Sequence, residues 1–449
     1  MIKIIDSFKK INHKLLLSLI ILGLCPTIYT TVRTFFIGQM PNEYAYSIAG
    51  QLSWVNLLYE IIQEAIILPL FFFIGNAIND KKELANRTKT GLIISGCAYA
   101  VLSLAVIIFA EPLLNMMCTS QDILQDSIVY IRIESIANIF AILFKFELVV
   151  LVELNKSKYV YAITAAQLIL SIIVDTFLIS QLNISMKMGV NGIALSNIIT
   201  NALLFATTLV ILCKEDINLF TNEKLSFQWI KDFIKIGGIS GLESFVRNIA
   251  YMLMIARMVN VVNEQGTYWV ANNFIWGWLL LPVSQLAELI KQEVSKDKNA
   301  IKTHTPGYLT ITTIICLMWC ASIPLWKPFM SNVLGYTATD TLFSLIMTLL
   351  VFYIMYAYQN VFDAEFYGIG KTNYMLFESI VTNTLYYGTA FILYINNIWT
   401  PDLTSIALLF GIGMAFDSII SLGAYIFLRK KMTNLTFTKP KIRKQGENS

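Results

Sequence analysis

Long apolar stretches dominate this chain of 449 residues and limit the folds open to it. A helix needs about 20 consecutive apolar residues to cross the hydrocarbon core of a bilayer. Inside that core every backbone N–H and C=O group must find a partner within the protein, so apolar stretches of this length indicate helices. The sequence predicts twelve such spans, at 15–38, 46–76, 90–110, 123–153, 158–182, 189–213, 232–262, 267–292, 306–327, 340–367, 372–396 and 403–428.

The composition agrees with a membrane protein. Apolar residues make up 56% of the chain and charged residues only 14%, whereas charged residues are about 25% of an average soluble protein. The net charge of +4 is spread over short loops, so it does not indicate nucleic-acid binding. The fold class that we expect is an all-α polytopic membrane protein with twelve transmembrane helices in two pseudo-symmetric six-helix bundles.

Lysine and arginine are concentrated in alternate loops between the predicted spans. When the N-terminus is placed inside, the outer loops carry only Lys187 and Lys327. Cytoplasmic loops of membrane proteins are enriched in Lys and Arg. The bias therefore predicts that both termini are cytoplasmic.

Short motifs recur in the same order in the two halves of the sequence. YSIA at 46–49 is followed by Trp54. YWVA at 268–271 is followed by Trp276 in the same way. Six spans in each half give parallel repeats, related by an axis along the membrane normal. The predicted parts are an N-terminal six-helix bundle, a cytoplasmic linker, a C-terminal six-helix bundle and a basic cytoplasmic tail, at 1–213, 214–231, 232–430 and 431–449.

Asp175 lies in the middle of an apolar run, where a carboxylate costs roughly 2.5–3.5 kcal/mol to insert into a bilayer. Ser171 precedes it by one helical turn, and Asn197 lies on the next span. A carboxylate, a hydroxyl and an amide oxygen together suit a proton or a small hard cation. The three residues are therefore candidates for ion coupling. The alternative is a single buried Asp that a neighbouring helix satisfies.

Other charged residues also lie deep within predicted spans, among them Arg33 and Arg247. Intramembrane charges usually have a partner or a function. Glu60 and Glu64 share one helix face, which makes them further candidates for ion coupling. Glu243 lies one turn before Arg247, and we place these two residues at a substrate cleft between the bundles.

The repeat-related Trp54 and Trp276 have two interpretations. They can belong to core packing or to the aromatic belt at the membrane interface. They can also line the cleft and stack on a cationic substrate.

Four short segments, distributed over nearly the whole chain, point to a known family when they are taken together. They are PTIYTTVRTFFIG at 26–38, GVNGIALSN at 189–197, KIGG at 235–238 and FYGIGKT at 366–372. In this order and spacing they resemble the multidrug and toxic compound extrusion (MATE) family of the multidrug/oligosaccharidyl-lipid/polysaccharide exporter superfamily.

The resemblance implies a secondary active exporter of small amphipathic, cationic drugs or metabolites. Export would be coupled to proton or sodium entry by alternating access of the two bundles. It further implies a small-molecule substrate, a lipid bilayer around a monomer, no cofactor, no nucleic acid, and a place in a prokaryotic plasma (inner) membrane. No catalytic cluster marks an enzyme, and the only histidines are His13 and His304.

The sequence departs from the family's ion sites. One branch uses an Asp on helix 1, an Asn and an Asp on helix 5, and a Thr on helix 6. Asp175 matches the helix 5 Asp, while Ser171 replaces the Asn and Asn197 replaces the Thr. Arg33 replaces the helix 1 Asp. The other branch uses a Glu on helix 7, where this chain has Arg247.

Two hypotheses follow from these arginines. In the first, Arg33 pairs with Asp175 as a tethered cation, and coupling moves to Glu60 or Glu64. In the second, Arg33 and Arg247 select an anionic cargo, because guanidinium groups bind phosphates well. The alternative function is then a flippase or exporter of an anionic or lipid-linked saccharide.

Overall fold

The computed structural model describes residues 2–78, 80–215, 217 and 225–437, and these residues form helices and loops without any strand. Seven α-helices lie in the N-terminal half: α1 (Ile2–Lys10), α2 (His13–Gly38), α3 (Ala45–Gly75), α4 (Lys81–Met116), α5 (Gln121–Glu153), α6 (Ser157–Leu178) and α7 (Val190–Lys214).

The C-terminal half contains ten α-helices, and three of its long helical runs are interrupted by a π-helical turn. The α-helices are α8 (Ile230–Tyr251), α9 (Arg257–Val261), α10 (Gln265–Phe274), α11 (Leu281–Lys296), α12 (Ala300–Thr303), α13 (Thr305–Asn332), α14 (Thr339–Gly368), α15 (Asn373–Val381), α16 (Gly388–Ile395) and α17 (Leu403–Phe437). The π-helical turns are Met252–Ala256, Ile275–Leu279 and Thr382–Tyr387.

The described residues thus form twelve long helical runs, because α8 continues into α9, α10 into α11 and α15 into α16. Eight helices are individually long and apolar enough to cross a membrane. A ninth span results if Gln265–Leu279 and Leu281–Lys296, which are bent by 51°, are counted together. Pro282 lies at this bend, where its missing N–H removes a helical hydrogen bond.

A large boundary difference concerns α4, which begins at Lys81 although the apolar run predicts a start at residue 90. Asp80 caps the helix, because its side chain accepts hydrogen bonds from the backbone N–H groups of Lys82 and Glu83. The intervening residues are polar but good helix formers. Hydropathy detects the membrane-crossing part of a helix and not its polar extension.

The short helix α1 was not predicted from the sequence. It packs on the beginning of α13, where Ser7 Oγ donates to the Thr303 carbonyl at 2.7 Å and accepts from Gly307 N at 2.9 Å. The Tyr425 hydroxyl of α17 donates to Thr305 at the start of α13, so α1 and the end of α17 lie on the same side of the helical array. We call this the basic side, after its lysine-rich loops.

Part of the predicted linker at 214–231 and part of the predicted tail at 431–449 lie outside the described residues. The described end of the linker packs on the N-terminal half, where Trp229 Nε1 donates to Thr90 Oγ1 at 3.0 Å. Helix α17 continues to Phe437, nine residues beyond the apolar run that ends at residue 428.

The two halves meet along several helix pairs, of which α3 with α8 is the most extensive. A Cβ atom on Gly237 would lie 2.0 Å from the Ala65 carbonyl oxygen, so the helices approach backbone to backbone at this point. On the side opposite the basic side, Gln51 Nε2 donates to Asn260 Oδ1 at 2.9 Å. Gln265 Nε2 donates there to the Gly50 carbonyl at 2.8 Å.

We expect Gly237→Ala to destabilise the protein, because the added methyl group must push α8 away from α3. Overpacking of this kind costs about 1–3 kcal/mol. Gly238→Ala is the matched control, since no atom lies within 4 Å of its added Cβ, and alanine favours a helix by roughly 0.5–1 kcal/mol over glycine. Thermal unfolding in detergent should show a lower midpoint for the first variant alone. Equal midpoints would mean that the contact does not hold the halves together.

Candidate functional site

A buried ion pair joins α2 to α6 in the N-terminal half. Arg33 Nε donates to Asp175 Oδ2 at 2.8 Å, and Arg33 Nη2 donates to Asp175 Oδ1 at 3.0 Å. The side chains are 12% and 1% exposed. Two parallel N–H···O bonds of this kind are the strongest way for a guanidinium to hold a carboxylate. The pairing that the sequence offered as a hypothesis is therefore present.

Polar groups from α5 and α7 complete this N-terminal cluster. Ser196 Oγ donates to Asp175 Oδ1. Arg33 Nη1 donates to Asn197 Oδ1 at 2.8 Å, and Asn197 Nδ2 donates to Glu134 Oε1 at 2.6 Å. One guanidinium and two carboxylates are thus connected through four different helices.

Sequence reasoning missed two members of the cluster. Glu134 is visible in the sequence as an acid inside the fourth span, but nothing in its spacing connects it to Asp175. Ser171, which the sequence places beside Asp175, is buried, yet the hydroxyl that binds Asp175 belongs to Ser196. Side chains one turn apart on a helix project side by side, whereas a residue across a helix interface can point directly at the carboxylate.

A cavity of about 910 Å³ lies between the two halves. Its charged lining consists of five carboxylates and one guanidinium, which belong to Glu60, Glu243, Asp363, Glu378, Asp417 and Arg247. Six aromatic side chains also line it, from Tyr251, Trp269, Trp276, Tyr356, Tyr387 and Phe410. The charge of the lining therefore suits a cation, and the aromatic faces suit an apolar or cationic body.

Arg247 is held by three carboxylates. Its Nη1 donates to Glu243 Oε1 at 2.9 Å, and its Nη2 donates to Glu64 Oε1 at 2.7 Å and lies 3.5 Å from Glu60 Oε1. Glu60 and Glu64 therefore lie at the interface of α3 with α8 and not beside Asp175. The sequence could not reveal this, because it does not show which way α3 faces.

Three further carboxylates face the cavity from α14, α15 and α17. Asp417 accepts from Gln359 Nε2 at 2.6 Å and from Thr382 Oγ1 at 2.7 Å. Asp363 Oδ1 accepts from Ser421 Oγ at 2.7 Å, and Glu378 is buried beside them. Asp417 and Asp363 thus accept hydrogen bonds from neutral hydroxyl and amide donors, whereas Glu378 lies against Asp363. All three acids are visible in the sequence, but none was selected as a site residue.

The predicted pair Trp54 and Trp276 separates in the structure. Trp276 lines the cavity, is 46% exposed and packs edge-on against Tyr356. Trp54 is 1% exposed, and its Nε1 donates to Gln51 Oε1 at 2.8 Å. The placement of Trp54 in the cleft is therefore wrong, because its side chain points into the core of the N-terminal half. Residues that correspond in the two repeats thus have different roles.

Comparisons with known proteins agree with this arrangement. The MatE family model matches residues 19–177. A comparison with curated protein sequences finds no match. An inward-facing multidrug resistance MATE family transporter of the MOP superfamily is 17% identical with a TM-score of 0.66, and the match covers 91% of this chain and 99% of that one. The chain has a MatE domain and the MATE transporter fold.

Two other solved structures support the same fold. A MATE protein in its bent conformation is 18% identical with a TM-score of 0.65, over 96% of this chain and 97% of that one. A MOP superfamily transporter from Pyrococcus furiosus, described as having a binding pocket of reversed polarity, is 16% identical with a TM-score of 0.66, over 96% and 98% of the two chains. The expected all-α fold is confirmed, with twelve long helical runs that correspond to the twelve predicted helices.

Asp175, which the family resemblance offers as an ion-coupling candidate, has the Arg33 guanidinium against both of its carboxylate oxygens. No group of three His, Cys, Asp or Glu side chains within the described ranges is positioned to hold a metal ion. In this cluster the guanidinium hydrogen-bonds to Asp175, whereas Glu134 accepts from the amide of Asn197.

We expect Arg33→Gln to destabilise the protein strongly, because it leaves the buried Asp175 carboxylate without its cation. Removing one partner of a buried ion pair lowers the free energy of unfolding by about 3–5 kcal/mol. The double variant Arg33→Gln with Asp175→Asn should recover most of that loss, since neither charge remains. Arg132→Gln is the control, because Arg132 is exposed and bonds only to the Ile107 carbonyl among the described residues. Thermal unfolding that shows additive losses in the double variant would contradict a coupled pair.

Proposed function

We propose that the protein is a secondary active exporter of small amphipathic cations, driven by the entry of protons or sodium ions. The observation that supports this best is the excess of five carboxylates over one guanidinium in the cavity between the halves. A cation in this cavity would meet several carboxylates in surroundings where charge interactions are stronger than in water. The aromatic lining would hold the apolar part of the cargo.

The alternative of an anionic or lipid-linked saccharide cargo has less support. It required Arg33 and Arg247 to face the cargo with free guanidinium groups. Arg33 is instead bound to Asp175 and Asn197, and Arg247 is bound to Glu64 and Glu243. Neither arginine is available to a phosphate unless it first leaves its carboxylates.

For coupling, we propose that Arg33 acts as a permanent tethered cation on Asp175, supported by Asn197. A guanidinium cannot release a proton in a protein, so this pair cannot exchange ions with solvent by itself. The driving ion would then bind at carboxylates that lie at the cavity. Glu60, together with Glu64 behind it, can take up protons or sodium ions as the cationic cargo leaves.

Alternating access would act on the contacts between the halves. In the orientation predicted from the loop charges, the basic side is cytoplasmic. The bonds of Gln51 with Asn260 and of Gln265 with Gly50 then lie at the outer side. They use neutral groups, so they can be replaced by water when the outer side opens. The bundles would rock about these helices.

We expect proteoliposomes with the wild-type protein to release a fluorescent organic cation faster under a proton or sodium gradient than without one. Asp363→Asn and Asp417→Asn should each reduce affinity for the cation by about tenfold or more, because hydrogen-bonded contacts to charged groups are worth about 1.5–3 kcal/mol. Asp340→Asn is the matched control, since Asp340 pairs with Lys327 outside the cavity. Absence of cation transport under every gradient would contradict the proposal and favour an anionic cargo.

The coupling role of the acids on α3 is tested separately. We expect Glu60→Gln with Glu64→Gln to transport the cation without acceleration by either gradient, because the groups that accept the driving ion are gone. Glu111→Gln is the control, as Glu111 is exposed on α4. Gradient-dependent release that is unchanged in the double variant would exclude these two residues from coupling.

A further inference from the structure

A second cavity, of about 570 Å³, lies in the C-terminal half at the basic side, away from the cavity between the halves. Helices α13 and α17 form its walls and α14 contributes to its floor. We call this cavity the α13/α17 groove. Its size falls within the range of about 300–1,000 Å³ that is usual for small-molecule sites.

The body of the groove is apolar. Leu422 and Ile426 are 43% and 47% exposed, so they are turned outwards on α17. Phe362 stacks on Tyr425 with ring centroids 4.6 Å apart and closes the floor. Leu309 contributes from α13. Exposed apolar side chains on a helix of a membrane protein face hydrocarbon, so this part of the groove suits an acyl chain.

The end of the groove is cationic. Arg429 and Lys430 line it and are both exposed, and Lys431 follows as the next exposed residue. Arg429 lies seven residues after Leu422, which is about 10 Å along the helix. The groove thus has an apolar part and, at one end, two cationic side chains. This arrangement matches a phospholipid, in which apolar acyl chains are attached to an anionic phosphate.

Most of the polar groups beneath the cations are bonded to one another. Thr305 Oγ1 donates to Glu365 Oε1 at 2.5 Å, and the Tyr425 hydroxyl donates to Thr305 Oγ1 at 3.3 Å. Glu365 is fully buried and acts electrostatically on Arg429 from below. Recognition of a head group therefore rests on Arg429 and Lys430, which line the groove and are both exposed.

We propose that the α13/α17 groove binds an anionic phospholipid, with an acyl chain along Leu422 and Ile426 and the phosphate at Arg429 and Lys430. Basic pockets between membrane helices are suited to anionic head groups. A free phosphate would leave the apolar body empty. The chain's own tail is an unsuitable occupant, because residues 438–449 are basic and would be repelled.

The test is binding of single lipids to the full-length protein in detergent, measured by native mass spectrometry and by thermal unfolding. Phosphatidylglycerol should bind and raise the unfolding temperature more than phosphatidylcholine with the same chains. Each Lys or Arg near an anionic lipid contributes roughly fivefold in affinity. Arg429→Gln with Lys430→Gln should therefore weaken phosphatidylglycerol binding about 25-fold and leave phosphatidylcholine binding unchanged.

Two further variants separate the groove from general surface charge. Lys296→Gln with Lys298→Gln removes two exposed cations elsewhere on the basic side and should retain binding. Leu422→Trp keeps both cations but fills the apolar body, and it should also weaken binding. The proposal is overturned if the control pair loses as much affinity as the groove pair, if Leu422→Trp binds normally, or if glycerol phosphate competes as well as the lipid. Lipid binding is measured without transport, so its failure is distinct from failure of the exporter function.

Discussion

A charge buried in a membrane protein needs a partner, and this constraint organises the interior of the protein. Transferring an isolated charge into an apolar medium costs so much free energy that a buried charged group is usually paired, neutralised or placed beside a cavity. Arg33 and Asp175 meet this requirement with two parallel hydrogen bonds. Four helices of the N-terminal half are drawn together by this pair and its neighbours, so the position of each helix depends on the others.

The cavity meets the same constraint differently. Arg247 is shared by three carboxylates, and two more acids, Asp417 and Asp363, accept hydrogen bonds from neutral donors. Most of these acids line an open space of about 910 Å³, which reduces the cost of holding them together, although Glu378 is buried. The N-terminal cluster therefore holds one guanidinium and two acids, while the cavity between the halves holds one guanidinium and five acids. This difference is the physical basis of the proposal that the cavity binds the cargo.

Internal repetition does not make the two halves equivalent. Trp54 and Trp276 correspond in sequence, but the first is buried against Gln51 and the second faces the cavity. The π-helical turns occur only in the C-terminal half among the described residues. Each such turn rotates the side chains that follow it relative to a regular helix, so positions that match in sequence can face different surroundings. Repeats predict the arrangement of helices better than they predict the orientation of side chains.

The sequence by itself determined the helical class, the number of spans and the presence of charges inside them, because hydrocarbon leaves a chain few ways to satisfy its backbone. It also identified Asp175 as unusual and Arg33 as a candidate partner. Only the tertiary structure decided that Ser196 and Glu134 belong to this cluster. It also showed that Glu60 and Glu64 contact Arg247. The same holds for the three acids that line one cavity, Asp363, Glu378 and Asp417. These relations cross helix interfaces, where distance along the chain carries no information about which faces meet.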